Sequence, residues 1–136
     1  MMNELSEAKG VVYGFIQAFF SGQMNDALEF LDPEIEVLEP IGLPYGGVKR
    51  GRQSFADMIA MIGEAWEFPE AIPPKLYDLD DGRVLLDVNF DAVSRATGGA
   101  ISTPIIEIYT VERKKIVHIQ VMVDTALANR VLGDQQ

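Results

Sequence analysis

Apolar residues recur at helical spacing near the start of the chain, where Leu5, Ala8, Val12, Phe15, Ile16 and Phe19 form one stripe. They predict a helix of about four turns that ends near Ser21-Gly22. A short second helix is expected over 25–31, with Ala27, Leu28 and Leu31 apolar and Asn25 or Asp26 at its start. Asp32-Pro33 should end it, because the residue before a proline avoids the helical region. The period then changes from helical to two. In the segment 35–40, Ile35, Val37 and Glu39 fall on one face and Glu36 and Leu38 on the other. Pro40 ends regular pairing, and Gly42-Leu43-Pro44-Tyr45-Gly46-Gly47 reads as a loop. A third helix over 53–66 carries Phe55, Met58, Ile59, Ile62 and Trp66 on one stripe, and Pro69, Pro73 and Pro74 stop it.

The second half reads as sheet. A strand over 75–80 leads into Asp81-Gly82, a tight hairpin turn. The next strand sets Val84, Leu86, Val88, Phe90 and Ala92 against Asp87, Asn89 and Asp91. Thr97-Gly98-Gly99 turns the chain, strands at 101–111 and 116–124 form a last hairpin, and a short tail helix is expected beyond. Three helices followed by antiparallel strands predict an α+β fold, a curved antiparallel sheet folded over the three N-terminal helices. No repeat or linker divides the chain, so one domain over 1–136 is expected.

Composition narrows the chemistry. The chain has 136 residues, 48% of them hydrophobic, without an apolar run of transmembrane length, and predicts one soluble domain with a real core. The absence of cysteine excludes thiol nucleophiles, disulfides and cysteine-ligated metals. The N-terminus lacks a basic region followed by an apolar stretch, so a cytoplasmic location is expected. A net charge of −10 argues against nucleic acid or an anionic membrane as partner. Lys49-Arg50-Gly51-Arg52 is a local exception; it reads as a solvated loop offsetting nearby acids rather than an anion site at a helix start. A single histidine excludes multi-histidine metal sites, and no carboxylate spacing matches a calcium loop, so neither metal nor cofactor is expected.

The candidate chemistry centres on Glu39. A carboxylate on the inward face of a strand end, beside an irregular loop, is a candidate general base with a raised pKa. The competing reading is a partly exposed strand-end glutamate with no task. His118 is the other acid–base candidate. On its strand Val117, Ile119, Val121 and Val123 form an apolar face, while Ile116, His118, Gln120, Met122 and Asp124 form a mixed one. Each β-branched residue is worth about 1.5–3 kcal/mol when buried, so His118 should point outward. Symmetric closure over Arg113-Lys114 then puts Ile108 opposite Ile119 and Ile106 opposite Val121 inside. It puts Tyr109 opposite His118 outside, with Ile105 and Glu107 nearby. That outer face is too apolar for bare surface, and a homodimer interface through Ile105, Tyr109, His118 and Met122 is preferred.

The order of helices, the strand ending in Glu39-Pro40 and the helix after it resemble the nuclear transport factor 2-like superfamily. Its members include ketosteroid isomerases and SnoaL-like polyketide cyclases. Residues 11–40 are similar to the isomerase pattern without a gap, including Leu31-Asp32 before the strand. Glu39-Pro40-Ile41-Gly42 aligns with the isomerases' catalytic-base segment, and 39–51 resembles SnoaL-like proteins. The last hairpin, from Thr103-Pro104-Ile105 to Lys115-Ile116-Val117, matches more loosely. The resemblance implies a cone-shaped sheet (a cystatin-like, ketosteroid isomerase-like fold) and places Glu39 where the isomerases hold their aspartate base. It also marks departures. The tyrosine that donates to the enolate corresponds to Phe15, and the protonated aspartate aligns with Ile106; neither can donate. Losing one such donor typically costs about 10²–10³ in rate, so an efficient steroid isomerase is not expected.

Three readings follow. The first is an acid–base enzyme performing a proton shift, cyclisation, hydration or dehydration on a small apolar carbonyl or polyketide-like substrate. Glu39 would move the proton, and Phe15, Phe19, Tyr45, Trp66, Val88, Phe90, Ile106, Ile108, Ile119 and Val121 would line its cavity. The second is a binding protein that holds an apolar metabolite unchanged. The third is a dimeric scaffold whose outer sheet face carries the function. Fold alone does not choose among them.

Overall fold

A computed structural model describes residues 6–69 and 73–133. Helix α1 (Glu7–Phe20) opens with the Ser6 side chain accepting from the Lys9 amide, and it buries Val12, Phe15 and Ile16. Leu5, the first residue of the expected stripe, lies outside the described residues. Helix α2 (Met24–Glu29) ends two residues earlier than the apolar pattern suggests. The chain passes directly into strand β1 (Leu31–Glu39), so Asp32 and Pro33 belong to the strand. Pro33 is tolerated there because pairing is irregular between Leu31 and Glu36.

Two strands escape the alternation argument because they are short. β2 (Gly47–Arg50) pairs antiparallel with β1, so Lys49 and Arg50 are strand residues rather than a solvated loop. Arg50 pairs with Glu36 at 2.9 Å. Arg52 opens helix α3 (Arg52–Ala65) and donates twice to the Leu31 carbonyl, at 2.6 and 3.0 Å, tying the helix start to β1. Trp66, expected to end this helix, instead begins β3 (Trp66–Glu67). β4 (Lys75–Asp78), β5 (Arg83–Ser94), β6 (Ala100–Glu112) and β7 (Lys115–Val123) follow. Helix α4 (Thr125–Leu132) closes the described chain, capped by Asp124, which accepts from the Leu127 amide at 3.0 Å.

The strands form one sheet in the order β2-β1-β7-β6-β5-β3, with β4 also paired to β5. Every pairing is antiparallel except that of β1 with β7. α1 packs on β4 to β7 and α3 on β1 to β3, so both helices cover the same face of the curved sheet. The expected α+β architecture is the observed one.

The last hairpin departs from symmetry in one decisive place. It closes over Arg113-Lys114, with Glu112 opposite Lys115 and Val111 opposite Ile116. Both turn residues adopt positive φ, 50° and 65°. Beyond Val111 the register shifts by one residue, and Thr110 pairs with His118. This bulge lets β7 bury both Ile116 and Ile119, three apart, on the same side. Everything further along β6 is thereby turned over. Tyr109 pairs with Ile119, Glu107 with Val121 and Ile105 with Val123, all facing the helices. Ile106 and Ile108, expected inside, pair with Met122 and Gln120 on the outer face. Ile105 and Tyr109, expected on an outer dimer surface, point inward; His118 and Met122 remain outside as expected.

Candidate active site

A cavity of about 530 Å³ lies between the helices and the sheet. Its apolar wall includes Phe15 and Phe19 from α1, Val88 and Phe90 from β5, and Ile119 and Val121 from β7, all expected there. Phe55, Met58, Ile59 and Ile62 from α3 add to it. Phe15 makes ring contacts with Phe19, Phe55 and Tyr109 at centroid separations of about 6 Å, a geometry that contributes beyond area burial. Trp66 is fully buried but not part of the wall; it stands edge-on behind Phe90. No lysine, arginine or histidine lines the cavity among the described residues.

Glu39 reaches this cavity because β1 alternates strictly over its second half, burying Ile35, Val37 and Glu39 in turn. Glu39 pairs with Gly47 of β2, so the strand end is held in the ladder. The residue is only 8% exposed. Its carboxyl has no hydrogen-bond partner among the described residues, yet no buried side-chain polar atom is orphaned. Its oxygens therefore open onto the cavity. Burial among apolar groups pushes its pKa up to about 8; the charge of Glu107 adds to this, and that of Lys49 opposes it.

Glu107 is the second carboxyl of the site. β1 and β7 run parallel with Leu38 beside Gln120, so Glu39, one residue on, falls beside Val121. Val121 in turn faces Glu107. The two carboxyl groups thus rise from strands on either side of β7, with backbones roughly 9–10 Å apart, two inter-strand steps. Burial raises the Glu107 pKa, partly offset by the Tyr109 hydroxyl, which donates to Glu107 Oε1 at 2.6 Å. Burial and the neighbouring carboxylates hold the Tyr109 hydroxyl well above the usual tyrosine range. Asn89 and Asp91 also border the cavity, with Asn89 donating to Asp91 and to Ser102.

Tyr45, from the loop between β1 and β2, completes the polar set. Its Oη accepts from the indole N–H of Trp66 at 3.0 Å. Sequence reasoning placed Glu39 and Tyr45 at the cavity, where they lie, but put Glu107 and Tyr109 on the outer face, because it assumed an unbulged hairpin. A signal was present within β6 itself. Ser102, Pro104 and Glu112 share the face of Ile106 and Ile108, whereas Ile101, Ile105 and Val111 share the face of Glu107 and Tyr109. Followed to both ends, the alternation favours the second face for the core.

Comparison with known proteins agrees with this architecture. The model of the SnoaL-like domain matches residues 12–119. The chain belongs to the SnoaL-like domain family. Among solved structures, an NTF2-like protein from Burkholderia xenovorans LB400 is 24% identical with a TM-score of 0.83, over 96% of this chain and 100% of that one. An NTF2-like protein from Burkholderia thailandensis E264 is 22% identical with a TM-score of 0.83, over 96% and 98%. TerC, co-crystallised with polyporic acid, is 16% identical with a TM-score of 0.81, over 93% and 98%. At these identities the likeness is one of fold. Comparison with curated proteins finds no match. Within the described residues of this SnoaL-like chain, no cluster of ligating side chains could hold a metal and no helix is long and apolar enough to cross a membrane.

Proposed function

We propose that the protein is an acid–base enzyme that shifts a proton within a small, uncharged, largely apolar carbonyl, enol or polyketide-like substrate. Isomerisation, cyclisation and hydration or dehydration are the reaction types this chemistry serves. The observation that carries the reading is the Glu39 carboxyl, buried by apolar walls, unpaired among the described residues and open to the cavity. A carboxylate in that setting is a far stronger base than one in water. Among the described residues the wall holds no cation, which disfavours phosphorylated or carboxylated substrates, since they would meet Glu39, Glu107 and Asp91 and no counter-charge. Ionised Glu39 accepts the proton from carbon or oxygen, and its conjugate acid returns it elsewhere on the substrate. Burial raises the pKa of Glu107 as well, so a second carboxyl stands on the opposite side of Val121, placed to relay a proton. The crystallisation of the similar TerC chain with polyporic acid supports a small organic molecule as occupant.

The test is turnover of candidate enones and polyketide-like ketones by the protein and by Glu39→Gln. The substitution is expected to lower kcat by about 10²–10⁴, the usual contribution of a positioned base. Activity unchanged within a few-fold removes Glu39 from the chemistry. A purely ligand-holding role is favoured by the near-continuous apolar wall. Native mass spectrometry separates the two: a retained, chemically unaltered molecule supports holding, and product formation excludes it.

A further inference from the structure

The cavity holds an unspent hydrogen-bond donor. Of its two tyrosines, Tyr109 donates its hydroxyl hydrogen bond to Glu107. Tyr45 accepts from Trp66 but has no acceptor for its own hydroxyl proton among the described residues. Tyr45 is only 5% exposed and lines the cavity. A buried donor without a partner is costly, and the cost is relieved when something in the cavity accepts from it. A phenol O–H lies in the plane of its ring with two preferred directions. The indole N–H takes up a lone pair of the oxygen, which leaves the hydroxyl proton for another acceptor.

We propose that Tyr45 is the substrate-oxygen donor of this site, presenting its hydroxyl to the carbonyl or enolate oxygen of the bound molecule, with Trp66 as its positioning residue. The proposal rests on the cavity being the substrate site, but not on Glu39 being the base. It fills the role that Phe15 leaves empty, from a different element. The loop that carries Tyr45 is rigidly held. The Leu43 amide donates to the Pro40 carbonyl at 3.1 Å and the Gly46 amide to the Leu43 carbonyl at 2.9 Å. Asn129 of α4 donates to the Gly42 carbonyl at 2.7 Å. Gly46 approaches so closely that an added Cβ would lie 1.9 Å from the Pro40 oxygen. Trp66 is itself immobilised, with no exposed surface and its ring edge-on to Phe90 at 5.1 Å. Such preorganisation lets a donor act on a developing oxyanion without first reorienting. Donation by the indole also polarises the phenol and strengthens the hydrogen bond it makes in turn. The charge of Glu39 is felt at Tyr45, so donor and candidate base address one enclosed space.

The experiment uses 2-acetylnaphthalene, a neutral aromatic ketone labelled with ¹³C at the carbonyl, and infrared spectroscopy of the bound probe. At a pH near 9, Glu39 is mostly ionised and cannot donate, while Tyr45 keeps its proton. The carbonyl band of the wild-type complex is expected below its position in a hydrocarbon solvent. In Tyr45→Phe the band should return to that position and affinity should fall about tenfold, a typical effect of one lost hydrogen bond. Trp66→Phe keeps the hydroxyl but not its aim, and should give a broader, intermediate band. An identical band in wild type and Tyr45→Phe overturns the proposal, as does an unchanged band in Trp66→Phe for the positioning role. Glu39→Gln separates the two readings: inactivity of Tyr45→Phe with full activity of Glu39→Gln discards the base and keeps the donor.

Discussion

At the scale of single residues the site is governed by what it costs to ionise a carboxyl away from water. Glu39 moves from 4.5 to about 8 because folding surrounds it with Phe, Val and Ile and sets Glu107 across β7. The folded chain therefore holds this proton more tightly than the unfolded chain. The stability this gives is fully present below about pH 4.5 and is lost as pH rises through about 8. At about 1.4 kcal/mol per pH decade the loss amounts to a few kcal/mol, and Glu107, also raised, adds in the same direction. Urea denaturation at pH 5 and pH 8 should show that loss in the wild type and a much shallower one in Glu39→Gln. An equal slope in both assigns the pH dependence to the general repulsion of a chain with net charge −10 instead. Activity that depends on ionised Glu39 should rise with pH over the same interval.

At the scale of elements, a loop and a bulge do most to shape the site. The direction of Glu39 was legible from five residues of β1, because an alternating strand can bury only one of its faces. The direction of Glu107 was not, because the bulge beside Val117 depends on how Ile116 and Ile119 pack against the helices and has no local signature. The turn itself was legible; a single uncounted residue after it reversed every later side chain. Trp66 shows the same limit. Its apolar spacing matched a helix, yet the chain leaves α3 at Ala65 and uses the indole to hold Tyr45. The loop between β1 and β2 makes a specific demand on sequence. Gly46→Ala forces a Cβ into the Pro40 carbonyl, and the expected cost is about 1–3 kcal/mol from the displaced backbone. Chemical denaturation measures it, and a change below about 0.5 kcal/mol, ordinary for a surface position, contradicts the tight loop packing.

For the whole molecule, the order of helices and strands was enough to give the architecture, since the helical and two-residue periods hardly overlap along this chain. The parallel pairing of β1 with β7 and the short strands β2 and β3 were not legible, because they depend on contacts between distant segments. The outer sheet face carries Ile106, Ile108 and Met122 beside His118, an apolar strip on a chain of net charge −10. We propose that this strip mediates a homodimer. Sedimentation velocity should show a dimer at micromolar concentration that Ile108→Glu dissociates; a monomer at all concentrations discards the interface and leaves the cavity chemistry untouched.

The site stands or falls on whether Glu39 holds its proton into the neutral range. Selective ¹³C labelling of glutamate, with Glu39→Gln used to assign the resonance, follows its carboxyl through a pH titration. A midpoint near 8 is predicted. A midpoint at the ordinary glutamate value of about 4.3 contradicts the dry, unpaired carboxyl on which the proposed chemistry depends.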